Sequence, residues 1–337
     1  MSGFDRQMSA YQVDWRRQYA RSQIAGQQNG QRRDWILPRD LWEQGLWHNI
    51  RSDGDWSLPA YLAENRIQKH QGVHNLKSSW VLCANLYFPF GQSESGRDLL
   101  AGFLDKHVND SITSVERLEL EYCETGELHP SELLGEQGGS RGAGQTSPDI
   151  AFIVNQGRGL ILTENKFVEH SFYSCSARTH KGNSARAGNP DPTRCEDALA
   201  VVDDPASQCH QVAWGRKYWD HLAPVVRRNA VATLRTCPAG FAGYQLLRQQ
   251  ALAEGIARSR KYELVVSCLA IDERNKTLQN SLKSTGLSDV GEWNNLFTGR
   301  AEFSIFTHQQ WFAWVGKHSR DSRWDNWLGY VESRYGF

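Results

Sequence analysis

Two short apolar runs, Ile150–Val154 and Leu160–Thr163, stand out in this chain because neither alternates with polar residues. Uninterrupted apolar runs of this length read as central strands buried on both faces. Asn155, Gln156, Gly157, Arg158 and Gly159 between them are turn formers, so the pair reads as a β-hairpin. A four-residue loop pairing Val154 with Gly159 sets Asp149 opposite Glu164. The two-residue period of a strand then puts Lys166 on the face of Glu164.

The flanking patterns alternate strands with helices. Val115–Tyr122 alternates strictly, which predicts a half-buried strand with Glu119 and Glu121 turned toward water or toward the hairpin's carboxylates. Before it, Ser78-Ser79 caps a helix through Trp80 and Leu86 that Phe88-Pro89-Phe90 stops. Leu99, Leu100, Phe103, Leu104 and Val108 form one stripe of a second helix. Pro130–Glu136 reads as a short helical turn, with Glu136 as a supporting acid. Downstream, helical spacing covers Gln208–Leu222 and Phe241–Ala257, followed by a buried strand at Tyr262–Ile271. A short strand at Phe303–Phe306 leads to a helix capped by Thr307 and to a closing stripe through Trp324, Trp327, Leu328 and Val331. The expected fold is α/β, a central mixed sheet flanked by helices.

Two segments fall outside this core pattern. Residues 1–75 are polar at first and then helical in spacing, with Tyr11, Trp15 and Tyr19 four apart, and read as an N-terminal helical arm or subdomain ahead of a main domain at 76–337. Residues 169–207, rich in Ser, Arg, Gly, Asn, Asp and Pro, read as a long insertion, a length that is usually functional or disordered.

Composition adds a boundary. Hydrophobic residues at 39% and aromatics at 11% suit a globular chain of 337 residues. No signal peptide and no bilayer-length apolar run is present, so the reading is a cytoplasmic protein with reduced thiols and no membrane partner. Net charge is zero but unevenly spread: residues 81–170 carry 6 Lys+Arg against 14 Asp+Glu, and residues 171–261 carry 13 against 7. The second segment offers a face for phosphates or merely a solvated one. Arg16, Arg17, Arg21, Arg32 and Arg33 form either a basic arm or a solvated helix.

Two carboxylates brought together repel unless a hard cation lies between them, and Mg²⁺ or Mn²⁺ takes one or two carboxylates with waters and a substrate phosphate. Pro148-Asp149 followed by Glu164-Asn165-Lys166, on a strand-turn-strand, resembles the motif of the PD-(D/E)XK, restriction-endonuclease-like nuclease superfamily. The resemblance implies a restriction-endonuclease-like core and a metal-dependent nuclease hydrolysing DNA phosphodiester bonds, RNA not being excluded, in restriction or antiviral defence. It implies Asp149, Glu164 and the backbone carbonyl of Asn165 as metal ligands and Lys166 as the residue that positions the nucleophile. It also implies a helix after the second motif strand bearing Gln and Tyr, for which Gln211 and Tyr218 are candidates. An extra acid on the preceding helix would be Glu94. Arg141, Arg216 and Lys217 are candidate nucleic-acid contacts, by way of phosphates.

Cysteines supply a separate expectation. Cys175 and Cys195 lie in the polar insertion, Cys209 just past it beside His210, and Cys237 further on. Thiols in a loop without an apolar stripe suggest Zn²⁺ or a 4Fe-4S iron-sulfur cluster, with His210 or Cys237 as fourth ligand, or else free thiols. Some members of the resembled superfamily carry such a cluster. Cys83, Cys123 and Cys268 read as core fillers. The competing function is a catalytically inactive nucleic-acid-binding or assembly module with a structural Zn or iron-sulfur site; a homo-oligomer or a defence-complex partner is open in either case.

Overall fold

The computed structural model describes residues 2–20, 22 and 24–337. Its N-terminal segment contains helix α1 (Gly3–Tyr19) and a small hairpin of β1 (Gln27–Gln28) and β2 (Gln31–Arg32). Helices α2 (Ser79–Tyr87) and α3 (Glu94–His107) follow. The central sheet has the order β3 (Val115–Leu120), β4 (Ile150–Val154), β5 (Gly159–Lys166), β6 (Leu264–Ile271) and β7 (Glu302–Thr307). Between β5 and β6 runs α4 (Tyr244–Ser259), and α5 (His308–His318) and α6 (Ser322–Tyr335) complete the chain's long helices.

β3, β4 and β5 are antiparallel neighbours, while β5–β6 and β6–β7 are parallel, so the sheet is mixed. Val154 pairs with Gly159 and Ile150 with Thr163, the register expected from the turn length. Unbroken apolar runs make sense here because both faces are covered. Ile150, Phe152 and Val154 pack with α2, α3, α5 and α6, whereas Ala151, Ile153, Leu160 and Leu162 pack with α4 and with the segment that precedes it.

The first 75 residues contribute Phe4, Met8, Trp42, Leu46, Trp47 and Ile50 to the same core as α2, α3 and the closing helices. Polar contacts fix α1 against α6: Gln12 Nε2 donates to the Arg334 carbonyl at 2.9 Å and Tyr11 Oη to the Ser333 carbonyl at 2.9 Å. Of the arginines proposed as a basic arm, Arg16 is buried, Arg17 lies 3.8 Å from Asp14, Arg32 and Arg33 are exposed, and Arg21 is outside the described residues.

Gln208–Leu222 differs from the single helix expected. It forms two short helical turns, His210–Ala213 and Tyr218–Leu222. Gly215 takes a left-handed φ of 76°, a conformation that ends a helix and that glycine adopts without a Cβ clash. No helix among the described residues is long and apolar enough to cross a membrane.

Candidate active site

The register of β4 and β5 delivers Asp149 and Glu164 to the same edge of the sheet, each just beyond or at the last turn of pairing. Asp149 Oδ2 accepts the Asn165 backbone N–H at 2.8 Å, which pins its carboxylate across the strand pair. Lys166 Nζ donates to Glu164 Oε1 at 2.6 Å. Asp149, Glu164 and Lys166 are thus brought together. Both carboxylates line a cleft of about 190 Å³, with Glu121, His70, Gln245 and Arg248 around them.

Charge dominates this cleft. Burial first, and then the charge of Glu164, pushes the Asp149 carboxyl well above the usual carboxylate range. Burial alone would lower the Lys166 ammonium, but Glu164, Glu169 and Asp149 outweigh it and hold the amine above its ordinary value. Lys166 is therefore a fixed cation, suited to donating hydrogen bonds and offsetting negative charge, and not to taking up a proton. Its backbone carbonyl accepts from His308 Nε2 at 3.1 Å, which leaves Nδ1 of that ring to accept the Tyr87 hydroxyl at 3.0 Å.

Glu121 belongs to the cleft as well, although strand alternation turned it toward either water or the metal. It ends β3 with a left-handed φ of 47°, is buried, and its N–H donates to the Asp149 carbonyl at 3.0 Å. Burial, then Asp149 and Glu164, raises its carboxyl well above the usual range. Gly142, φ 84°, lets the loop before β4 pass against it: a Cβ there would meet the Gln68 carbonyl at 2.8 Å and the Glu121 carboxyl carbon at 3.4 Å.

Helix α4 contributes what the sequence left unassigned. Gln245 Nε2 donates to Glu164 Oε1 at 3.2 Å. Gln249 is buried and donates to the carbonyls of Leu162 and Cys268, both at 2.9 Å, which ties α4 to β5 and β6. Gln211 and Tyr218 lie on the segment next in sequence after β5, whereas the helix that brings a glutamine to Glu164 is α4.

The remaining candidates lie further out. Gln211 Nε2 donates to Cys175 Sγ at 3.2 Å and to Tyr244 Oη at 2.9 Å. Tyr218 Oη donates to Glu136 at 2.9 Å, and Glu136 also accepts from the N–H and hydroxyl of Thr146 at 2.5 and 2.6 Å and pairs with Arg248 at 3.4 Å. Glu136 thus holds the loop leading to Asp149. Arg141 donates to the carbonyls of Leu120 and Glu121, Arg216 to that of Gly135, and Lys217 to that of Glu132. Glu94 is exposed at the start of α3.

Cys175, Cys195, Cys209 and Cys237 converge from four separate segments. Every pair among them is close enough for their charges to interact, and none forms a disulfide. Burial, then Cys209 and Cys175, pushes the Cys195 thiol up to about 11. His210 instead bonds the Ala187 carbonyl at 3.0 Å. Cys83 meets Asn165 Nδ2 at 3.2 Å on the opposite face of β5, Cys268 is buried in β6, and Cys123 accepts from Gln145 at 3.0 Å. Among the described residues no three His, Cys, Asp or Glu side chains close tightly enough to share one metal ion.

A family model described as "Restriction Endonuclease associating with ARP" matches residues 8–336. No curated protein and no solved structure matches the chain.

Proposed function

The chain belongs to the family of restriction endonucleases associating with ARP, and from that premise we propose that it is a metal-dependent nuclease of the PD-(D/E)XK type acting on DNA. The observation that carries this reading is Lys166 held 2.6 Å from Glu164, with Asp149 across the hairpin and both carboxylates lining an open cleft.

The residues fit a hard divalent cation. Mg²⁺ needs only one or two carboxylates, keeping waters and phosphate for its other positions, so a closed three-ligand cage is not required. Gln145 Oε1, Ser147 Oγ and Gln245 Oε1 line the same cleft as buried oxygens with no partner, as waters around such an ion would use them. Asp149, Glu164 and the Asn165 carbonyl would hold Mg²⁺ or Mn²⁺, which supplies Lewis-acid polarisation of the phosphate and a more acidic bound water. Lys166 donates to the incoming oxygen and offsets the charge that builds on the phosphate. Gln245 orients Glu164, and Asn165 N–H fixes Asp149.

The cysteine tetrad supports a second, structural metal site. A single zinc ion would need four sulfurs about 2.3 Å from one point, and the thiols are not drawn that close. An iron-sulfur cluster spreads its ligands over several metal atoms and fits the looser tetrad better. The family description adds ARP as a partner, and a cytoplasmic setting in restriction or defence suits all of these features.

The test is cleavage of linear and circular duplex, single-stranded DNA and RNA by the full chain with Mg²⁺, Mn²⁺ or EDTA. Metal-dependent cutting of DNA, lost in Asp149→Asn, is expected; equal cutting in EDTA would sink the mechanism. Iron content and visible absorption of anaerobically purified protein, compared with Cys237→Ser, decide the tetrad.

A further inference from the structure

A second cleft, of about 580 Å³, opens beside the first, and His70 lines both. Its lining includes Val168-Glu169, just past the end of β5, together with the N-terminal hairpin and the Trp35 wall. Asn29 and Gly30 both take left-handed φ values, 52° and 73°, which makes the tight turn that suits a two-residue hairpin. That turn presents Gln28, Asn29 and Gln31 to the cleft, and Asn75 Nδ2 holds Gln28 Oε1 at 3.3 Å.

Charge decides what this cleft can take. Lys77 is already matched, its ammonium 2.5 Å from Asp5 and 2.8 Å from the Ser9 hydroxyl. It also lies 4.2 Å from the centre of the Trp35 ring and so holds that wall in place. Arg33 is the other cation of the lining and Glu169 the other anion. Two cations against two anions leave no surplus to hold a second phosphate. Side-chain amides around a fixed aromatic wall instead suit a neutral, planar group with hydrogen-bonding edges, the chemistry of a nucleobase; Asn and Gln pair with adenine in both directions.

Resting on the nuclease reading above, we infer that this cleft takes an unpaired nucleobase next to the phosphodiester being cut and reads it through Gln28, Asn29 and Gln31. Contiguity through His70 sets a base lodged there beside the phosphate at Asp149 and Glu164. The N-terminal hairpin is then the element that chooses where the enzyme cuts.

Two measurements test this. Cut ends from a randomised DNA library in Mg²⁺ are sequenced for the wild type, Gln31→Ala and Asn29→Gly, the last of which keeps the left-handed turn. The wild type is expected to prefer one base at one position beside the cut, and both variants to weaken that preference about tenfold. A flat wild-type profile, or an unchanged profile in both variants, overturns the inference.

The second measurement needs no catalysis: Asp149→Asn protein is bound to oligonucleotides carrying a single abasic site walked along the strand. One abasic position should weaken binding about tenfold, and Gln31→Ala added to Asp149→Asn should erase that difference. Uniform binding at every abasic position, or no binding of any oligonucleotide, also overturns it. A protein that cuts nothing yet shows the abasic effect would sink the nuclease reading and leave the base pocket standing.

Discussion

Glu121, Asp149 and Glu164 repel one another in one cleft, and the Lys166 ammonium offsets part of their charge. The Glu121 carboxyl is raised above its unfolded value, so its neutral form is the one the fold favours. Its contribution is therefore fully present at acid pH and is lost as pH rises through the raised value. Without metal, Glu121→Gln should melt higher than the wild type at pH 8 and converge with it near pH 5. The gain is roughly 1–2 °C for each kcal/mol relieved in a chain of this length. Added Mn²⁺ should raise the wild type's melting temperature more than the variant's; a variant that melts lower without metal at pH 8 would make Glu121 a structural support. His308 gives the opposite sign. Burial lowers it to about 4, below its unfolded value, so protons bind the unfolded chain first and stability falls as pH drops from about 6.5 toward 4. At about 1.4 kcal/mol per pH unit this withdraws roughly 3 kcal/mol, and His308→Gln should flatten that part of a melting-temperature profile.

The hairpin was legible at the level of elements because its apolar runs, turn residues and two-residue period all point to one register. Gln245 and Gln249 were not, since only the packing of α4 across β5 and β6 brings them to the site, and no local pattern encodes that. For Glu121 alternation left water and the hairpin's carboxylates both open, because it assumes that the strand continues; a left-handed residue at its end turns the chain and brings Glu121 to the cleft. The four cysteines come from segments up to 62 residues apart, and only packing, with Cys195 and Cys237 inside an apolar cluster, brings them together. Glu136 shows how an element is held from outside. It gathers Thr146, Tyr218 and Arg248, so Glu136→Ala should cost about 3–5 kcal/mol by leaving Arg248 without its buried partner. Hydrogen exchange should rise in residues 138–147 before it rises in β4; unchanged exchange there would remove Glu136 from this role.

Across the whole molecule, the N-terminal arm closes on the C-terminal helix and also walls the second cleft. Removing residues 2–20 exposes the partners of Phe4, Met8 and Trp15, each burial contributing about 1.5–3 kcal/mol, and strips Lys77 of Asp5 and Ser9. The truncated chain should melt roughly 6–13 °C lower or aggregate on size-exclusion chromatography; an unchanged melting temperature would show that the segment is dispensable. The mixed sheet has a further consequence for the order of folding. β4 and β5 join through a four-residue turn, whereas β5 must wait for residues 167–263 before β6 can lie beside it. Local pairings form fast and distant parallel ones slowly. During synthesis, therefore, the acids are assembled on their hairpin well before α4 delivers Gln245 and before β6 supports the strand beneath them, and the complete cleft is among the last features the emerging chain acquires.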